Sequence, residues 1–226
     1  MMPVSKLEPY YQYPRPEVVQ LVPASARRIL DIGCASGRVG AAIKKRQKCE
    51  VWGIESNVRA AKEARICLDQ VFIGDFSSLA AELPKAGFDV IIMADVLEHI
   101  VDTERTLAIV SGLLATGGEL ILSLPNTRHW SVLRMLLGGD WRYEDSGLLD
   151  RTHVRFFTAK SSVRMLRNAG FKIEKMSGVS VTRPPPDGFI SGLEAALEAA
   201  GMNHRGLAAE SNVFQFLFKC TFQDVS

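Results

Sequence analysis

The chain has no apolar run long enough to cross a membrane. Its longest candidate, Phe88–Ile100, is broken by Asp89, Asp95, Glu98 and His99, whereas a spanning helix needs about 20 apolar residues. It has only four cysteines, Cys34, Cys49, Cys67 and Cys220, with no Cys-x-x-Cys spacing. That excludes the disulfide framework of a small secreted domain and points to reduced, mostly buried thiols. It lacks an excess of either charge: the net charge is +2. The densest basic cluster, Lys44, Lys45, Arg46 and Lys48, fits the end of a helix, where cations suit the macrodipole. Composition therefore gives no reason to expect nucleic acid or an anionic membrane as a partner. The opening residues show no hydrophobic segment of signal-peptide type, and there is no internal repeat. A soluble cytoplasmic protein acting on a small molecule is expected, and a homodimer is compatible with the sequence.

What is present is an alternation of short β-branched runs and helical patterns. Strands are expected at Arg28–Ile32, Glu50–Ile54, Gln70–Ile73, Phe88–Ala94 and Glu119–Leu124. Helices are expected at Val39–Arg46, Asn57–Cys67 and Thr103–Leu114, the last ended by Gly117 and Gly118 in C-cap fashion. A further helix is expected to begin near Pro16. This βαβα rhythm predicts an α/β fold, a parallel sheet with helices on both faces. The rhythm breaks at 126–158, which reads as a long, aromatic, irregular lid. A helix at Ala159–Ala169, N-capped by Thr158 and closed by Gly170, leads to a strand from Phe171. A second irregular insert, 183–212, holds one helix at Ile190–Ala200. Val213–Phe222 is the last strand, with Phe214, Phe216 and Phe218 alternating towards the core. The whole reads as a single domain, 1–226, with an N-terminal cap over 1–25.

The first strand–turn–helix reads Asp31-Ile-Gly33-Cys34-Ala35-Ser-Gly37. Glycines here permit positive φ and close approach of a ligand to the backbone. A dinucleotide turn would want G-x-G-x-x-G, and Ala35, Gly37 and Gly40 match it only with alanine in the first place. Asp31 would also repel a pyrophosphate but would suit an ammonium or sulfonium cation. Glu55 ends the second strand, where a carboxylate can accept from both ribose hydroxyls. Asp75 follows the third strand and could accept from an adenine amino group, with Phe76 packed on the ring. Each acid alone would pass as a turn residue. Three of them, each just past the C-terminal end of a consecutive strand, mark the edge where such sheets bind ligands.

LDIGCASG, VWGIESN, FIGDF, FDVIIMADVLEHI and GGELILSLPN, in that order, resemble the class I S-adenosylmethionine-dependent methyltransferases over roughly residues 26–125. LLDRTHVRFFT, GFKIEKM and VFQFLFKCTF resemble the branch that holds ubiquinone-type O-methyltransferases and related bacterial small-molecule enzymes. The resemblance implies a Rossmann-like sheet of seven strands, order 3-2-1-4-5-7-6, with the last strand antiparallel. It implies S-adenosylmethionine as cofactor and S-adenosylhomocysteine as product. Asp31, Gly33, Cys34 and Gly37 would surround the methionine part, Glu55 and Ser56 the ribose, Asp75 and Phe76 the adenine. Ala94, Asp95 and Val96 would line the sulfonium, and Tyr11 would touch the cofactor carboxylate. Ala35 departs from the family, which often has glycine there.

A hydroxyl acceptor usually needs a base. His153, in Leu149-Asp-Arg-Thr-His-Val-Arg155, and His99, after the fourth strand, are the candidates. Asp150 could orient His153, or pair with Arg155 as a structural clamp. Arg151 or Arg155 could hold an acidic substrate. His129 and His204 are weaker candidates. Trp130, Trp141 and Tyr143 form either an apolar acceptor pocket or the lid's own core. Asp145, Asp150 and His153 are generic in spacing, and no metal site is expected. Ala94-Asp-Val-Leu97 stands where nitrogen and RNA methylators often carry Asn/Asp-Pro-Pro-aromatic, which argues against an amino-group acceptor of that type; a hydroxyl oxygen of a small molecule is the expected acceptor. Methylation of nitrogen or carbon, or cofactor binding without catalysis, are the alternatives.

Overall fold

A computed structural model describes residues 14–180 and 183–223. Strand β1 (Arg28–Ile32) is followed by β2 (Glu50–Glu55), β3 (Gln70–Ile73), β4 (Phe88–Ala94), β5 (Leu114–Pro125), β6 (Phe171–Ser180) and β7 (Val213–Phe222). They form one seven-stranded sheet of order β3-β2-β1-β4-β5-β7-β6. The pairs among β1 to β5 are parallel, and β7 runs antiparallel to both β5 and β6. Order and polarity agree with the expectation.

Neighbouring residues of the central strands serve opposite faces. Ile29, Val90 and Ile92 face a core with α1 (Pro16–Val19), α2 (Arg38–Arg46) and α3 (Val58–Ala64). Leu30, Ile91 and Met93 face a second core with α5 (Thr103–Leu113) and α7 (Ala159–Asn168); α4 (Phe76–Leu79) adds Phe76 to it. Burial on both sides is why β4 reads as a continuous apolar run. The helix caps follow local chemistry. Asn57 accepts from the amides of Arg59 and Ala60. Thr158 and Ser161 form a reciprocal capping box at α7.

Four expectations need correction. Helix α5 does not run to the glycine pair. Leu114 is already extended, pairs with Phe88 and is buried in the core. Between Phe88 and Val90 the register of β5 shifts from Leu114 to Glu119, and Gly117, at φ 74°, lies in that excursion. The glycines therefore turn a strand rather than cap a helix. The 126–158 insert is not wholly irregular: it contains α6 (Trp130–Leu137). The second insert holds α9 (Leu207–Ser211) in addition to α8 (Phe189–Ala199). Finally, Phe216 and Phe218 are core residues, whereas Phe214 is half-buried and packs on a separate cluster of Val132, Leu148, Leu149, Met135 and Phe156. Among the described residues, no helix is long and apolar enough to cross a membrane.

Candidate active site

The C-terminal ends of β1 to β4 open into a cleft with two lobes. The larger, about 660 Å³, is lined by Gly33, Glu55, Asp75, Phe76, Val96 and His99, with Ser56 beside them. That volume suits a small-molecule site, typically about 300–1,000 Å³. The smaller lobe, about 270 Å³, is lined by Arg15, Asp31, Cys34, Arg38, Asp95 and Gln215. Gly33, Ala35, Ala94 and Asp95 line both lobes, so the two are one continuous groove.

The turn after β1 is pinned from β2. The amides of Gly33 and Cys34 donate to the Ile54 carbonyl at 2.8 and 3.1 Å. Glu55 accepts from the Ala35 amide at 2.9 Å and, through its other oxygen, from the Asn57 amide at 2.7 Å. Gly33 has φ 73°, and a Cβ there would sit 2.7 Å from Cγ2 of Val96, blocking the groove. Gly37 plays another part: it lines neither lobe but takes φ 78° as the N-cap of α2. Ala35 adopts the left-handed region too, at φ 49°.

Asp31 is 3% exposed, and its Oδ2 has no hydrogen-bond partner among the described residues. Burial, reinforced by the charge of Glu55 and partly offset by Arg15, pushes its pKa up to about 7. A buried acceptor of this kind calls for a cationic or hydrogen-bonding ligand. Cys34 is held as a neutral thiol by burial and by the charges of Asp31 and Glu55, so it is a wall and not a nucleophile. Arg15 forms ion pairs with Asp95 and Glu17. Ser123 and Gln215 donate to Asp95 at 2.7 and 2.8 Å. That network holds Asp95 at φ 59°, a conformation that costs a non-glycine residue about 1–3 kcal/mol. Sequence reasoning missed Arg15, Ser123 and Gln215. The only signals were an arginine between two prolines and a glutamine inside the run Phe214–Phe218.

His99 lines the larger lobe; His153 does not. The two rings meet edge to face with centroids 4.9 Å apart. Nδ1 of His153 lies 3.2 Å from the Leu148 carbonyl. Asp150 and Arg155, expected as a mutual pair, take separate partners. Asp150 accepts from the amide and hydroxyl of Thr152 at 2.8 and 2.6 Å, while Arg155 donates to the Val101 carbonyl. The reason is local: the amides of Val154 and Arg155 donate to the Glu98 carbonyl, so residues 150–155 lie along the loop after β4. Asp145 pairs with Arg151 at 2.6 Å. The ligating atoms that do gather, within 4.8 Å of one another, belong to Glu98, His99 and His153. His129 is buried, N-caps α6 and lines neither lobe; Trp141 and Tyr143 lie against Phe156 and stay exposed. Tyr11 lies outside the described residues.

A family model described as a methyltransferase domain matches residues 8–176. The chain belongs to the class I S-adenosylmethionine-dependent methyltransferases. Among similar methyltransferases is the ubiquinone biosynthesis O-methyltransferase of Aeromonas salmonicida, 28% identical over 158 residues, covering 68% of this chain and 66% of that protein. The protein of the same name from Thiobacillus denitrificans is 29% identical over 166 residues, covering 70% of each. The chain thus spans about two thirds of the length of these relatives. The S-adenosylmethionine-dependent methyltransferase of Mesorhizobium loti shares the fold, with TM-score 0.61 and 20% identity over 91% of this chain and 96% of that one. The methyltransferase cofactor is S-adenosylmethionine. The groove fits it by its own chemistry: a buried carboxylate oxygen at Asp31 that has no partner among the described residues, a second carboxylate at Glu55, and an opening at Gly33 that a Cβ would fill.

Proposed function

We propose that this methyltransferase methylates a hydroxyl oxygen of a small molecule, with His99 as the general base. The observation that carries the reading is the place of His99: it lines the same lobe as Ala94, Asp95 and Val96, at the end of β4. The names of the relatives, O-methyltransferases, support oxygen as the acceptor atom. In this reading Asp31 faces the cofactor ammonium and Arg15 its carboxylate, within the wall made by Gly33 and Cys34. Gly37 shapes the turn from behind. Glu55 and Ser56 hold the ribose, and Asp75 and Phe76 the adenine. Ala94, Asp95 and Val96 flank the sulfonium. Bound cofactor supplies a methyl group already activated for displacement; the chain supplies alignment and a place for the hydroxyl proton. His153 supports the His99 ring from behind. Four free thiols agree with a cytoplasmic setting.

The test is transfer of labelled methyl from S-adenosylmethionine to catechol and to an aryl amine, with wild type and His99→Gln. Labelled catechol is expected, falling about 100-fold or more in the variant with unchanged S-adenosylhomocysteine affinity. Transfer to the amine with none to catechol would overturn the oxygen assignment.

A further inference from the structure

The segment 148–155 contains a chain of hydrogen bonds whose direction can be worked out from donor and acceptor types alone. Asp150 is 3% exposed, and as a carboxylate it only accepts. Its Oδ1 lies 2.6 Å from Oγ1 of Thr152, so the single hydroxyl hydrogen of Thr152 points to Asp150 in a short, charge-assisted bond. Oγ1 is then left as an acceptor towards Nδ1 of His99, 3.2 Å away. The Thr152 carbonyl, which can only accept, lies 3.1 Å from the same nitrogen. Both neighbours require Nδ1 of His99 to carry a hydrogen. The same rule fixes His153, whose Nδ1 faces the Leu148 carbonyl. Glu98 and His153 are the other titratable groups gathered at His99.

We infer that Thr152 and Asp150 are positioning residues that lock His99 in the Nδ1–H tautomer, so that Nε2 holds the lone pair that receives the acceptor's hydroxyl proton. The inference rests on the reading of His99 as the base. Proton transfer makes the ring an imidazolium, and its Nδ1–H then donates a charged hydrogen bond to Thr152. That oxygen is polarised by the carboxylate behind it. Methyl, proton and charge balance without further reactants: the hydroxyl loses its proton to Nε2, and its oxygen takes the methyl group as the bond to sulfur breaks.

The experiment is a long-range proton–nitrogen correlation spectrum of the full chain labelled with ¹⁵N-histidine, in EDTA and saturating S-adenosylhomocysteine. His99 is assigned by the signal lost in His99→Gln. Wild type is expected to show protonated Nδ1 and lone-pair Nε2 for both His99 and His153. Thr152→Val keeps the carbonyl on Nδ1 but removes the hydroxyl, so a measurable Nε2–H fraction of His99 should appear beside the Nδ1–H form, with His153 unchanged, which checks the fold; Thr152→Ser should restore the single form. Label transfer to catechol should fall roughly tenfold in Thr152→Val at unchanged S-adenosylhomocysteine affinity, the loss of one charged hydrogen bond, and recover in Thr152→Ser. An Nε2–H tautomer in wild type, or a His99 spectrum indifferent to Thr152→Val, would overturn the inference. A correct tautomer together with full catechol methylation by His99→Gln would instead overturn the base role, so the two failures are distinguishable.

Discussion

Asp31 combines two linked properties: among the described residues one of its buried oxygens has no hydrogen-bond partner, and that burial moves its titration to near neutrality. Its pKa, about 7, lies above the ordinary value of 3.8. The neutral form is therefore the one the fold prefers. Its contribution to stability is complete below pH 3.8 and is lost as the pH rises through about 7. Asp31→Asn should be more stable than wild type at pH 8, by roughly 4 kcal/mol as an upper bound, and the advantage should shrink on acidification; denaturant titration at several pH values checks this. Cofactor binding should run the other way. The ionised form suits the ammonium, so S-adenosylmethionine affinity should rise towards a plateau above pH 7 in wild type and stay flat in Asp31→Asn. A pH-independent wild-type affinity by calorimetry would remove Asp31 from that role. Ala35 offers a second residue-scale test. At φ 49° it sits where the family often carries glycine, so Ala35→Gly should raise the melting point by the equivalent of about 1 kcal/mol. These two positions also mark the reach of sequence reading. The charge of Asp31 and the departure at Ala35 were visible in the turn itself. The Arg15–Asp95 pair was not, because it joins residues 80 apart that no local pattern connects.

At the scale of elements, those strands of the sheet whose residues alternate between two apolar cores were legible, and so were the helices with a side-chain cap at Asn57 or Thr158. What failed were segments with apolar residues on every side or with glycines open to two uses. Helix α6 buries Val132 but exposes Leu136 and Leu137, so it lacks the single stripe that announces a helix. Gly117 looked like a cap because the pull of Leu114 into pairing with Phe88 cannot be read from spacing. The joint between β5 and the first insert was likewise hidden. Asn126 is fully buried; its amide donates to the carbonyls of Glu210 and Val213 at 2.9 and 2.8 Å, and its oxygen accepts from Arg128. One side chain thus ties the first insert to the second. Asn126→Ala should cost about 3 kcal/mol, since buried backbone groups lose their partners. Limited proteolysis should show cleavage in 126–158 accelerated; unchanged stability and protection would mean that the inserts hold without it.

For the whole molecule, the groove draws on β1 to β4 for one wall and on β5 and β7 for the support of Asp95. A ligand that binds it should stabilise the entire fold. S-adenosylhomocysteine at a hundred times its Kd adds about 2.7 kcal/mol, which for a chain of this size is a rise of roughly 5–11 °C in Tm. Glu55→Ala should abolish most of that shift at the same ligand concentration. The comparison is between shifts, because Glu55 also holds the amides of Ala35 and Asn57 in the free protein. An equal shift in the variant would sink the ribose assignment.

The position of β7 has a further consequence for how the protein is made. Although it follows β6 in the chain, it lies between β5 and β6. While the ribosome is still elongating, β5 has an open edge, and β6 has no neighbour at all. Both are templates for mispairing until the final strand arrives. That strand also carries Gln215, which donates to Asp95 together with Ser123 and Arg15. A nascent chain can therefore build the turn at Gly33 early, but it cannot finish the Asp95 side of the groove until β7 has left the exit tunnel and threaded the gap.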